Sequence, residues 1–117
     1  MARLSTHVLD TSLGLPAGGI IIHVYFLNAG ERHLLATSVT NDDGRTETPL
    51  LTADHLEVGV YELIFHVGGY HQRARAIVSD PPFLGDVVVR VGIADSTGNY
   101  HVPLLLSPYG YSVYRGS

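Results

Sequence analysis

The chain has no cysteine, no lysine and no tryptophan, and its 117 residues include a single methionine. Without cysteine there are no disulfide staples, no thiol nucleophile and no thiolate-bound metal. Charge is sparse as well: charged residues make up 15% of the chain against 45% apolar ones, a globular rather than a disordered composition. All seven cations are arginines, and the formal net charge of −4 offers no electrostatic case for nucleic acid. Long apolar runs are missing too. None approaches membrane-spanning length, and the start from Met1 to His7 carries no apolar signal core, so no membrane association and a cytoplasmic location are expected. A chain of this length can bury a core unaided, and no repeat or linker divides it, so residues 1–117 are read as one domain.

What the sequence does contain is a period-two pattern. Leu4 to Asp10 alternates, with Leu4, Thr6 and Val8 on one face and Ser5, His7 and Leu9 on the other. Further strands are expected over Ile20–Asn28, His33–Thr40, Gly59–Val67 and Phe83–Ala94, separated by Gly- and Pro-rich loops. Asn41-Asp-Asp-Gly44 is a strong turn signal with Arg45 directly behind it. Thr46 to Val58 reads as an irregular stretch with a short strand near its start. Gly68 to Ala76 has few β formers and predicts one short helix. The last stretch, Asn99 to Ser117, forms two strand-like runs broken at Ser107-Pro108, because proline cannot donate to a ladder. Seven to eight strands and one short helix argue an all-β sandwich. An immunoglobulin domain is the rival, but the Cys…Trp…Cys framework is absent and the helix has no place there.

Histidine is abundant, at seven copies. His23, His33, His55, His66 and His71 are read as side chains filling polar slots. His7 and His101 stand apart: each interrupts a strand among apolar neighbours, and the two would converge if the first and last strands shared a sheet. In the final run Gly110 and Ser112 leave a hollow floor, with Tyr114 beside it, on a face that a packing strand would fill. The alternatives are a packing tyrosine at Tyr114 and a solvated arginine behind the turn at Arg45. No His-x₃-His or His-Glu-x-x-His spacing falls on the helix, so no metal site is expected, and no cofactor either.

Three stretches together resemble one family. Leu4-Ser-Thr-His-Val-Leu-Asp10 with Gly14-Leu-Pro-Ala-Gly18, Asp43-Gly-Arg45, and Tyr100-His-Val-Pro-Leu-Leu-Leu-Ser-Pro108 look like the signatures of the transthyretin-related family. The ending Tyr114-Arg-Gly-Ser117 looks like that of its enzymatic branch, the 5-hydroxyisourate hydrolases. The resemblance covers nearly the whole chain. It implies the transthyretin-like (prealbumin-like) β-sandwich and a hydrolase that opens 5-hydroxyisourate, the product of urate oxidation, to 2-oxo-4-hydroxy-4-carboxy-5-ureidoimidazoline. It also implies catalytic roles for His7 and His101 and a substrate-binding role for Arg45.

Those residue types suit the chemistry. A neutral imidazole accepts a proton from water near neutral pH. A guanidinium fork matches the carbonyl and oxyanion edge of a purine-like ring. Tyr114 and Arg115 are expected to bind substrate, and Ser117 to orient a histidine rather than attack, since no Gly-x-Ser-x-Gly elbow is present. The family further implies a homotetramer, a dimer of dimers, with sites at the dimer–dimer interface. The competing function is a non-catalytic small-ligand carrier of transthyretin type; a third is a structural accessory domain of a larger protein.

Overall fold

The computed structural model describes residues 2–75 and 79–117. In chain order the strands are β1 (Arg3–Asp10), β2 (Leu15–Pro16), β3 (Ile21–Asn28), β4 (Glu31–Val39), β5 (Leu51–Thr52), β6 (Gly59–His66), β7 (Asp86–Ile93), β8 (Asn99–Ser107) and β9 (Gly110–Val113). Among the described residues one α-helix, α1 (Gly68–Ala74), stands between β6 and β7, and a short 3-10 turn covers Ala53–His55. The strands form two sheets. One runs β2-β1-β8-β9 with β5 also on β1; the other runs β4-β3-β6-β7. None of the described helices is long and apolar enough to cross a membrane.

Alternation decides which side of each strand is buried. On β1, Leu4, Thr6, Val8 and Asp10 are buried, while Ser5, His7 and Leu9 face outward. On β3 the buried set is Ile22 and Val24, and on β6 it includes Tyr61, Leu63 and Phe65. These side chains join Val102, Leu104 and Leu106 of β8 in one core between the sheets. Thr6 is the polar member of that row, and its hydroxyl is satisfied by the Val102 carbonyl at 2.6 Å.

The expected strands and the helix are present, with shifted bounds. The strand foreseen from Phe83 begins at Asp86, and the one foreseen near Thr46 falls at Leu51–Thr52, beyond Pro49. The helix ends at Ala74; Ala76, where it was expected to end, lies outside the described residues. An immunoglobulin arrangement does not form: the strand orders are β2-β1-β8-β9 and β4-β3-β6-β7, with α1 between β6 and β7.

Pro103 sits in the middle of β8, between two partner strands. Gly116 donates its backbone N–H to the His101 carbonyl and Thr11 donates its own to the Leu106 carbonyl, both at 2.8 Å. Odd-numbered residues of β8 therefore bond toward β9 and even-numbered ones toward β1. The nitrogen of Pro103 thus faces the position of Tyr114 and has no hydrogen to give. β9 ends at Val113, and pairing resumes only at the His101–Gly116 bridge.

A buried ion pair fixes the far end of β1. Asp10 is fully buried, and Arg75 reaches it from beyond α1 at 2.8 Å. Tyr70 of α1 donates its hydroxyl to the same carboxylate at 2.7 Å, and Ser12 donates through backbone and side chain. Burial pushes the Asp10 carboxyl up, but the hydrogen bonds from Ser12, Tyr70, Arg75 and Leu13 outweigh it and hold it down to about 2. Tyr70 moves the opposite way, up to about 12, through burial and the Asp10 anion, so it stays a donor.

Held at about 2 against an ordinary 3.8, Asp10 contributes about 2 kcal/mol of stability at neutral pH. Because its folded value is depressed, that stability is present above its ordinary value and is lost as pH falls through the folded one. Asp10→Asn, which leaves Arg75 unpaired, is expected to cost about 3 kcal/mol in denaturant unfolding and to flatten the stability profile between roughly pH 4 and pH 2. An unaltered profile would remove the role assigned to Asp10.

Candidate active site

The outward row of β1 lies directly against the outward row of β8. Their parallel register sets Ser5 beside His101, His7 beside Pro103 and Leu9 beside Leu105. The Ser5 hydroxyl oxygen stands 2.9 Å from His101 Nδ1. On the other side of that ring lies Gly116, where an added Cβ would fall 2.7 Å from His101 Cδ2.

Arg45 arrives from a loop docked on β1. The Asn41 side-chain oxygen accepts the backbone N–H groups of Asp43 and Arg45, the local turn chemistry that aspartate and asparagine favour. The Gly44 carbonyl accepts the Val8 N–H at 2.8 Å. Gly44 has φ +76°, and a Cβ there would lie 2.3 Å from the Val8 oxygen, so only glycine allows this approach. The same docking places the Asp43 carbonyl 2.9 Å from His7 Nε2. A carbonyl only accepts, so Nε2 carries the hydrogen, and in the neutral ring Nδ1 holds the lone pair. Arg45 Nε is 3.4 Å from the Asp43 carboxylate, an exposed and therefore weak pair. The terminal nitrogens of Arg45 have no hydrogen-bond partner among the described residues.

Between the loop and the sheet is a hollow of about 410 Å³. Arg45, His101 and Ser117 line it, together with Arg3, Ser5, Thr46, Thr48 and Asn99. His7 does not line it; its ring is tied to the Asp43 carbonyl of the docked loop. Gly110 and Ser112 share the outward face, opposite Ser107 and Leu105, but do not line the hollow. Tyr114 and Arg115 are elsewhere within the chain. They border a second hollow, beside Val89, Val91 and Val102 at the open edge of the sandwich. There Arg115 donates to the Asn99 carbonyl at 3.1 Å, and its guanidinium lies 4.4 Å over the Tyr100 ring.

The profile of the HIUase/Transthyretin family matches residues 4–116. The chain belongs to that family. The 5-hydroxyisourate hydrolase 2 of Rhizobium meliloti is 55% identical over 115 residues, 98% of this chain and 96% of its own. The crystal structure of an (S)-allantoin synthase superposes with a TM-score of 0.91 at 43% identity, covering 98% of this chain but only 43% of that longer one. Transthyretin from Sparus aurata superposes at 0.87 with 28% identity, covering 99% of this chain and 97% of its own.

Within this HIUase/transthyretin sandwich the histidine that lines the hollow, His101, is electrostatically perturbed. Burial lowers its proton affinity first, and Arg45, His7 and Arg3 lower it further, so the ring stays neutral below the ordinary histidine range. The remaining histidines lie apart from the hollow. His23 and His66 are linked at 2.8 Å on the other sheet, with Asp86 at 2.9 Å from His66. His71 is buried beside Arg75. Arg3, Ser5, Thr46, Thr48 and Asn99 were not foreseen as site residues. For Arg3 and Ser5 the signal was present, since both share the alternating face of His7.

An imidazole titration followed by NMR is expected to find His101 below the ordinary histidine range. Arg45→Gln is expected to move its midpoint upward, because one cation opposing the imidazolium is gone. A midpoint that stayed or fell would break the coupling.

Proposed function

We propose that this chain catalyses the hydrolytic opening of 5-hydroxyisourate to 2-oxo-4-hydroxy-4-carboxy-5-ureidoimidazoline, a step of urate degradation. The reading rests on His101 and Arg45 sharing one hollow, with His7 near enough to act electrostatically on His101, in a chain 55% identical to a relative named for that hydrolysis. A carrier of a mainly apolar ligand has no use for two arginines and an imidazole around one cleft.

The chemistry runs as follows. A water oxygen bonds to a ring carbonyl carbon while its proton passes to a neutral imidazole. The oxygen that gains charge is met by the open end of the Arg45 fork. The ring C–N bond then breaks, and the departing nitrogen takes the proton back. One water is consumed and a carboxylic acid and an N–H are formed. His101, neutral near physiological pH, suits the proton-accepting role; His7, fixed through the Asp43 carbonyl with Nδ1 free of hydrogen, is the second imidazole of the reading. Ser117 orients a histidine. A covalent acyl-serine is not required.

Tyr114 and Arg115 belong to substrate binding in this reading, but across subunits. They flank β7 and β9, the strands that leave an unpaired edge on each sheet. Such edges are suited to pairing with a second copy. The working form is a cytoplasmic homotetramer, a dimer of dimers of this single domain, with each site completed at the dimer–dimer interface.

The test is to generate 5-hydroxyisourate in place with urate oxidase and follow its ultraviolet decay. The protein is expected to accelerate decay, with His7→Ala, His101→Ala and Arg45→Ala each losing roughly 10²-fold or more and Ser117→Ala keeping most of the rate. Activity per chain should fall on dilution through the assembly constant. Decay at the spontaneous rate with an assembled tetramer would sink the reading and bring the carrier forward.

A further inference from the structure

We infer that Ser5 is a positioning residue that fixes the tautomer of His101. Its hydroxyl accepts the Nδ1 hydrogen and leaves the Nε2 lone pair facing the hollow. This deepens the hydrolase reading and rests on it for its catalytic consequence, though not for the tautomer itself.

The geometry supports each part. Ser5 Oγ is 2.9 Å from His101 Nδ1, and no other side-chain partner of that hydroxyl occurs among the described residues. The ring is held on its opposite edge as well. Gly116 packs so closely that a Cβ would sit 2.7 Å from Cδ2 and 3.2 Å from Pro103 Cγ. Gly116 is itself tied down, by its N–H to the His101 carbonyl at 2.8 Å. The hydrogen bond to Ser5 selects the orientation with Nδ1 on that side and Cδ2 against Gly116, and Nε2 is left at the free end.

A hydroxyl can donate or accept, so the surroundings must choose the direction. Arg45, from the loop after β4, and Arg3, from β1, line the hollow with His101; Glu47 is the one acidic side chain in the lining, and Ser117 lines it too. Two guanidiniums favour a lone pair over an N–H on the nitrogen that faces them. The hydrogen therefore resides on Nδ1, directed at Ser5. A second partner of a histidine sets which nitrogen is free for chemistry, and removing such a partner commonly costs 10–100-fold.

The experiment combines ¹⁵N NMR of His101 with kinetics on the assembled protein. In the parent chain the nitrogen shifts should report the Nδ1–H form. Ser5→Ala should shift the population toward Nε2–H, with kcat down about 10-fold, KM nearly unchanged and the acid limb of the pH profile displaced. Ser5→Thr, which keeps the hydroxyl, should restore both tautomer and rate. A dominant Nε2–H form in the parent chain, or no tautomer change in Ser5→Ala, overturns the proposal whatever the substrate is. A tautomer change with an unaltered kcat overturns the positioning role and leaves the hydrolase reading standing. Absence of acceleration in every chain, with the tautomer change intact, overturns the hydrolase reading and the positioning role together and leaves only the tautomer assignment.

Discussion

The parallel pairing of β1 with β8 is the constraint on which the rest depends. It joins residues 96 positions apart, as Ser5 and His101 are, and no local segment could create that neighbourhood. Its cost is the ordering of nearly the whole chain before the contact can form. What offsets that cost is the inward row of both strands, Leu4 and Val8 with Val102, Leu104 and Leu106, all buried in one core. The outward row then comes at no additional packing requirement, and it is this row that carries Ser5, His7 and His101. A shift of one residue in the pairing would send the apolar row outward and the histidines into the core, so hydrophobic burial and site geometry are enforced by one register.

The same logic explains what the sequence made legible. Alternation alone sorted Leu4, Thr6 and Val8 from Ser5 and His7, and the Asn41-to-Gly44 turn placed Arg45 at the end of a tight loop. Pairing partners were not legible, because period two says which face a residue occupies and not which residue lies beside it. Hence His7 and His101 were expected to meet, whereas the register sets Ser5 against His101 and gives His7 the Asp43 carbonyl. Alternation carried through the end of the chain grouped Tyr114 with the histidines, while Arg115 joined them only through the resemblance of the Tyr114-Arg-Gly-Ser117 ending. Pro103, with no N–H toward Tyr114, interrupts the ladder there, and within one chain both residues border the edge hollow instead.

A sandwich that superposes on a transthyretin at 0.87 shows how little the fold itself decides. The discriminating features are a few side chains on one face and the loop that reaches over them. Gly44 illustrates the dependence. Its left-handed backbone and its lack of a side chain let the loop carbonyl cap Val8, and that single docking sets both the His7 hydrogen bond and the root of Arg45. Stability and chemistry are therefore not separable here, since the contact that closes the loop on β1 is also the contact that orients the ring.

The choice of a hydroxyl beside His101 follows from what the imidazole has to do. A carboxylate in the place of Ser5 would orient the ring equally well, but it would favour the imidazolium and oppose the loss of its proton. It would also attract Arg3 and Arg45 away from the cleft that they line with His101. A hydroxyl orients without adding charge. Burial and the neighbouring cations then keep the ring neutral, while the arginines keep their donors for an incoming oxyanion. The groups that depress the affinity of His101 for a proton are thus the same groups placed to hold the negative charge its action creates, and a neutral partner at Nδ1 is the arrangement that lets both effects persist.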